Sequence, residues 1–371
     1  MNNNDASNPK IDAAFFIQDL SGGGAEKIMT SLANEFAGRG LKVDFVLVRA
    51  GGVNLKFLSE HIRVVDLKAQ NTYMCLPALV QYLNRARPRV FLSSLDLTNL
   101  FALIARRISR VNTRLAIRIE NMVSTQKRSF LKKGLEKIFL SALYPWADDI
   151  VAISKNVAED IIRYAGLPPA KIHVVPNPVI TPDLLNKAGE DAKHAWLKKG
   201  QPPVILGAGR LTEQKDFETL LNAFAILRRK MDARLIILGE GELRSELETI
   251  IRRLEIEKEV DLYGYVENPY SFMRQSRVFV LSSKWEGSPS VLIAALACGC
   301  PVVSTDCPGA VREILADGAY GDLVPVGDAA AMAEAIEMVL ETGGKSAAPN
   351  WLDQFSIENV TDQTMKILKL S

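Results

Sequence analysis

Ser282-Ser-Lys-Trp-Glu-Gly-Ser-Pro-Ser-Val-Leu-Ile-Ala-Ala-Leu-Ala-Cys-Gly-Cys-Pro-Val-Val-Ser-Thr-Asp306 decides the fold. Just before it, Val278–Leu281 is a short apolar run of strand length. A Gly/Ser/Pro loop then opens an apolar helix, and Val302–Ser304 is the next strand. Continuous apolar strands alternating with helices belong to a parallel sheet covered on both faces. The same rhythm runs through strands at Val204–Gly207, Arg234–Leu238, Val260–Tyr263 and Asp322–Val324, with helices at Phe217–Arg229 and Leu243–Leu254.

A second set precedes it. Ile11–Ile17 is a strand, Ser21–Gly24 a glycine-rich turn, and Ile28, Leu32 and Phe36 mark a helix that stops at Gly38–Gly40. Val43–Val48, Val64–Leu67, Val90–Ser93, Leu115–Arg118 and Asp149–Ile153 are further strands. The rhythm breaks at His173-Val-Val-Pro-Asn-Pro-Val179, where two prolines read as a linker, followed by a polar stretch to Gln201. Thr342–Asn350 reads as a loose loop and Ser356–Leu370 as a final helix. The expected architecture is α/β, with two Rossmann-like doubly wound parallel-sheet domains at 1–175 and 176–355. A terminal helix at 356–371 would pack back toward the first. Ligands in such sheets bind at the carboxyl ends of the strands, where the glycine loops fall.

The composition is that of a globular protein. Of 371 residues 48% are hydrophobic and 24% charged, which excludes collagen, coiled coil and wholesale disorder. The net charge of +2 hides an asymmetry: residues 1–175 carry 24 Lys/Arg against 15 Asp/Glu, the remainder 21 against 28. Two domains with different partners are expected. Cys75, Cys298, Cys300 and Cys307 show no C-x-x-C spacing and lie far from the three histidines, so they read as buried side chains, without a metal site. Few cysteines, a polar start and no apolar run long enough to span a bilayer point to a cytoplasmic protein, or one peripheral on the cytoplasmic membrane face.

Three loops could carry chemistry. In Ser21-Gly-Gly-Gly-Ala-Glu26 the glycines let backbone approach a ligand, and the following helix offers free N–H groups to an anion; a tight turn needing positive φ is the other reading. In Gly207-Ala-Gly-Arg-Leu-Thr-Glu-Gln-Lys-Asp216, Arg210 and Lys215 could clamp a diphosphate, or could be two solvated cations. In the opening stretch Glu286 precedes a helix start, so a carboxylate could hold a sugar hydroxyl while the amides of Ser288 to Val291 hold phosphate; alone it could be a solvated loop residue. G-x-G-x-x-G is missing from the first loop, and Gly239-Glu-Gly-Glu-Leu-Arg244 lacks the third glycine, which disfavours a nicotinamide-dependent dehydrogenase.

Together these segments resemble glycosyltransferase family 4, the retaining family with the GT-B architecture of two Rossmann-like domains facing a central cleft. The resemblance is carried by Gly22-Gly-Gly-Ala-Glu26, Ala152-Ile-Ser-Lys155, Val175-Pro-Asn-Pro178, Gly209-Arg-Leu…Lys-Asp216, Gly239-Glu-Gly241, Glu286-Gly-Ser-Pro289 and Gly299-Cys-Pro-Val-Val-Ser-Thr-Asp306 with Pro308-Gly309. The Gly-Gly-Ala-Glu start and Ser94-Leu-Asp-Leu-Thr-Asn99 look most like enzymes that add hexosamines to polyprenyl-diphosphate-linked glycans. The resemblance implies that Arg210 and Lys215 neutralise the leaving diphosphate and that Glu286 holds the donor sugar. It implies that Gly287, Ser288, Pro289, Val291 and Leu292 line sugar and phosphate, with Gly209 and Gly241 beside them. Gly23 and Gly24 would approach the diphosphate from the other domain, and Tyr265 and Val266 would lie along the base. A departing phosphate oxygen that takes the acceptor proton requires no metal or other cofactor, and no D-x-D motif is present.

Two positions depart from the pattern. The family's second Glu, which holds the donor ribose, is Ala294 here. Losing that charged hydrogen bond would cost about 1.5–3 kcal/mol of donor binding, or about 10- to 150-fold. Drift with compensation, an idle nucleotide-sugar-binding homologue and a deliberate weakening substitution are the competing readings. In the first domain, Arg118-Ile-Glu-Asn121 places Asn121 where many members have a histidine near the sugar, and Asn cannot shuttle a proton.

The acceptor side is expected at Asp96, Glu120, Lys127 and Arg128. Basic residues in Arg85–Arg89, Arg106–Arg118 and Gln126–Lys137, interleaved with apolar side chains and continuing to Phe139 and Trp146, suit either an anionic membrane surface or a solvated helix face. No nucleic-acid module is visible. The expected function is transfer of a sugar from a nucleotide-diphosphate donor to a glycan or lipid-linked glycan. A sugar-nucleotide 2-epimerase, which shares the architecture, is the enzyme alternative.

Overall fold

The computed structural model of the chain describes residues 11–124 and 130–370, without the side chains of 130–133. The chain divides into two units, Met1–Pro178 with Ile357–Ser371, and Val179–Ser356. The first boundary falls three residues beyond the expected 175, after the second proline of the Pro-Asn-Pro segment.

Unit 1 holds a sheet of seven strands: β1 Ala13–Ile17, β2 Val43–Leu47, β3 Arg63–Asp66, β4 Val90–Ser94, β5 Arg114–Ile119, β6 Asp149–Ala152 and β7 Ile172–Val174. Their order is β3-β2-β1-β4-β5-β6-β7 and every pair is parallel. Alternation along β1 sends Ala14 and Phe16 into one apolar layer, and Ala13, Phe15 and Ile17 into the other. Both faces are therefore covered, as the continuous apolar strands require.

Unit 2 holds six strands: β8 Val204–Ala208, β9 Arg234–Leu238, β10 Val260–Gly264, β11 Val278–Leu281, β12 Val302–Thr305 and β13 Asp322–Val324. They are parallel in the order β10-β9-β8-β11-β12-β13. Here too β8 splits its side chains, Leu206 to one layer and Ile205 to the other. In both sheets the order reverses beside the first strand, between β1 and β4 and between β8 and β11. A doubly wound sheet opens its ligand crevice at such a switch point, outside the carboxyl strand ends.

Two sequence readings change. His173 and Val174 belong to β7, which pairs with β6 through Ile150–Ile172 and its neighbours; the linker begins only at Val175, because an edge strand needs pairing on one side alone. The polar stretch before Gln201 contains the Pro182–Ala188 helix, capped by the Thr181 side chain on the Leu184 N–H at 3.1 Å. The Thr-Pro-Asp start, with proline at the first helical turn, was the signal for it.

The last helix, Ile357–Leu368, lies in unit 1 against the Gly24–Gly38 helix. Arg39 pairs with Glu35 at 2.9 Å and with Asp362, and donates to the Glu358 carbonyl at 3.2 Å. Where the chain passes between units its two passages run side by side: Ile180 bridges Ser356 in parallel, and the Val179 and Ile180 N–H groups both donate to the Phe355 carbonyl at 3.0 Å.

Candidate functional site

Unit 2 builds its site on the two loops at its switch point. After β8 the chain runs through Gly209 and Arg210 to the Phe217–Arg228 helix; after β11 it runs through Ser282 to the Ser290–Ala297 helix. The loops are laced together. Ser282 Oγ donates to the Lys215 carbonyl at 2.7 Å, the Lys284 N–H to the Gln214 carbonyl at 2.8 Å, and Gln214 Nε2 to the Trp285 carbonyl at 2.9 Å. At their meeting point Lys215 Nζ lies 2.5 Å from Glu286 Oε1, and Ser283 Oγ donates to the same oxygen at 2.6 Å. The Lys215 side chain is 16% exposed and that of Glu286 only 6%. Pairing of this kind is what allows a carboxylate to be buried. Two of the three lysine N–H donors remain available.

Around this node the polar groups are open. Arg210 is exposed, and its side chain has no hydrogen bond or ion pair among the described residues. The N–H groups of Gly287, Ser288, Ser290 and Val291 likewise have no backbone partner, as expected where an eight-residue helix starts. Cations and free amides on adjoining loops at strand ends are the groups that suit an anion. Gly209 packs over the Lys215 stem, and a Cβ on Gly239 (φ 135°) would strike the Gly209 carbonyl. Gly241 lies against the Leu211 backbone, which allows the Leu211 N–H to donate to the Glu240 carbonyl at 2.9 Å. These glycines serve loop packing.

The other expected donor residues are spread along the same edge. Pro289 precedes the helix, Tyr265 is 71% exposed beyond β10, and Val266 is half-buried. Leu292 is a correction. Its side chain is fully buried in the core and its N–H is used by the Pro289 carbonyl at 2.9 Å, so the free amides end at Val291. Ala294, 2% exposed, sits in the same apolar layer. Sequence reading missed Ser283; paired serines directly after an apolar strand were the available cue.

In unit 1, Gly23 caps the Gly24–Gly38 helix, and a Cβ on Gly24 would meet nothing within 4 Å. Among the described residues nothing therefore demands glycine at 24. Asp96 lies in the first turn of the Asp96–Ser109 helix after β4, and Glu120 and the exposed Asn121 follow β5. Lys127 and Arg128 lie outside the described residues. Glu120 is tied to Ser94 and to Arg118, a side chain 1% exposed. Sequence reading did not mark Arg118 as a site residue, although an arginine ending an apolar strand must be paired if it is buried.

The cysteines are buried as free thiols. Burial pushes Cys298 up to about 11, and burial together with the nearby Glu286 charge pushes Cys307 up to about 12. They stay protonated at neutral pH. Among the described residues no group of three or more His, Cys, Asp or Glu is arranged to hold a metal ion.

Two parallel α/β units, each with open loops at its switch point, define the GT-B class of fold. Solved structures agree: the lipopolysaccharide outer core galactosyltransferase WaaB superposes over 97% of this chain and 99% of its own with a TM-score of 0.74 at 20% identity. The Anabaena protein HepE in complex with UDP gives 0.77 at 19% identity over 97% and 100%. The family models divide the chain likewise, "Glycosyltransferase Family 4" matching residues 22–181 and "Glycosyl transferases group 1" matching 189–350. The chain belongs to the glycosyltransferases that join these two domains. Among curated relatives is the N-acetylgalactosamine-N,N'-diacetylbacillosaminyl-diphospho-undecaprenol 4-alpha-N-acetylgalactosaminyltransferase of Campylobacter jejuni. It is 36% identical over 251 residues, 67% of this chain and 66% of that protein. The GalNAc-alpha-(1->4)-GalNAc-alpha-(1->3)-diNAcBac-PP-undecaprenol alpha-1,4-N-acetyl-D-galactosaminyltransferase of the same organism is 27% identical and aligns over 96% of this chain and 97% of its own length.

Proposed function

We propose that this protein transfers a sugar, with retention, from a nucleotide-diphosphate donor, most simply a uridine diphosphate N-acetylhexosamine, to a lipid-linked glycan. The carrying observation is the Lys215–Glu286–Ser283 node beside the open Arg210 and the free amides of 287–291. Lys215 and Arg210 neutralise the leaving diphosphate, and the helix-start amides orient it. Glu286 Oε2 accepts from a donor-sugar hydroxyl while Oε1 stays bound to lysine and serine. The bond from the anomeric carbon to phosphate oxygen breaks, the acceptor oxygen bonds that carbon on the same face, and the acceptor proton passes to the departing phosphate. On this reading the protein's task is positioning and charge stabilisation, without a metal. The relatives named above act on undecaprenol-linked saccharides, and one structural neighbour binds UDP.

The acceptor's lipid end implies a membrane surface. On the Phe130–Leu143 helix Leu135, Ile138 and Phe139 are each more than half exposed at helical spacing; Lys137 is also exposed, and Trp146 follows with Arg107 5.6 Å over its ring. An apolar stripe flanked by cations suits an anionic bilayer surface. Among the described residues no helix is long and apolar enough to cross a membrane. Ala294, buried where the family has a glutamate, favours weak donor binding as a second reading. Calorimetry with UDP, followed by transfer from UDP-N-acetylgalactosamine to an undecaprenyl-diphosphate-linked saccharide, tests the proposal. Saccharide extension supports it. UDP binding with epimerised donor and no extended product would favour an epimerase, and absence of UDP binding would overturn the uridine-donor reading.

A further inference from the structure

Unit 1 contains a second carboxylate held as Glu286 is held. At the end of β5, Arg118 Nε donates to Glu120 Oε1 at 2.8 Å, and Ser94 Oγ, ending β4, donates to the same oxygen at 2.7 Å. In unit 2 a cation and a serine likewise converge on Oε1 of Glu286. Oε2 of Glu120 has no partner among the described residues, and it is not among the atoms sealed from solvent. The side chain is nine-tenths buried.

The support beneath it is deep. Arg118 Nη2 donates to Asn177 Oδ1 at 2.5 Å, and Asn99 Nδ2 donates to the Arg118 carbonyl at 2.8 Å. Charge-assisted bonds in a buried network fix orientation more tightly than exposed pairs do. Leu95, between Ser94 and the Asp96–Ser109 helix, is held at φ 76°, a conformation rare for any residue with a Cβ and kept only where neighbours enforce it.

We infer that Glu120 is the hydroxyl-binding carboxylate of the acceptor site: its Oε2 accepts a hydrogen bond from a glycan hydroxyl, and Ser94, Arg118 and Asn177 are its positioning residues. This rests on the glycosyltransferase reading above. A carboxylate oxygen with its cation turned inward repels phosphate and accepts from neutral donors, so the sugar part of the acceptor is bound here and its diphosphate elsewhere.

The probe is p-nitrophenyl N-acetyl-α-galactosaminide, titrated by saturation-transfer NMR against the full chain, with UDP affinity measured by calorimetry on each variant. Glu120→Gln should weaken the glycoside at least about tenfold and leave UDP affinity in place. Because that change strips Arg118 of its counter-charge, Glu120→Asp is the second variant: it keeps the charge and withdraws the oxygen by about 1.5 Å, and it should weaken the glycoside as well. Asn177→Ala should cause a smaller loss that Asn177→Asp restores, a rescue that mere structural support of the linker would not produce. Unchanged glycoside affinity in both Glu120 variants would overturn the inference, as would a wild-type chain that binds UDP and no glycoside. A wild-type chain that binds neither would overturn the functional reading, and this inference with it.

Discussion

The two units use the same three-part arrangement with opposite sides turned outward, unit 2 at its switch point and unit 1 at the neighbouring ends of β4 and β5. In unit 2 the cation is the more open partner, Lys215 at 16% against Glu286 at 6%; in unit 1 it is the carboxylate, Glu120 at 9% against Arg118 at 1%. Unit 2 adds an exposed Arg210 and free helix-start amides. On the readings proposed above, one edge would offer positive potential to a diphosphate and the other an acceptor oxygen to a hydroxyl. Burial, more than residue identity, sets which half of each ion pair is turned outward.

Lys215→Ala attacks the contrast hardest. On the proposed reading it removes leaving-group neutralisation, and it strands Glu286, so turnover should fall about 10²–10³-fold and stability by about 3–5 kcal/mol, read by steady-state kinetics and urea unfolding. Unchanged UDP affinity would break the contrast. Arg210→Ala isolates the ligand term, because the side chain is exposed and unpaired: UDP affinity should drop about 10- to 150-fold with no change in melting temperature. Ala294→Glu should tighten UDP about tenfold by calorimetry and lower the melting temperature, since a carboxylate enters a site 2% exposed. Replacing Leu135 and Phe139 together by Ser should reduce co-sedimentation with anionic vesicles several-fold; equal binding in both proteins would show that the stripe faces water.

Much of this was legible in the residues. Val278–Leu281 and Arg234–Leu238 were read with the ends they have, because buried parallel strands are continuous apolar runs bounded by turns. The edge strand β7 and the Pro182–Ala188 helix escaped because short, half-exposed elements carry little periodic signal. Arg210, Lys215 and Glu286 were visible as types in glycine-rich loops. Which atoms of the last two would meet was not, since Lys215 and Glu286 are 71 residues apart and join only through the switch point. The Arg118–Asn177 bond spans 59 residues and was hidden for the same reason. Leu292 misled because a residue's place in a motif does not say whether its amide is already used.

The side-by-side passages at Ile180 and Ser356 make the second unit an insertion whose ends leave together. Such a module can be exchanged as a cassette without rethreading either sheet, because both of its ends leave at one place.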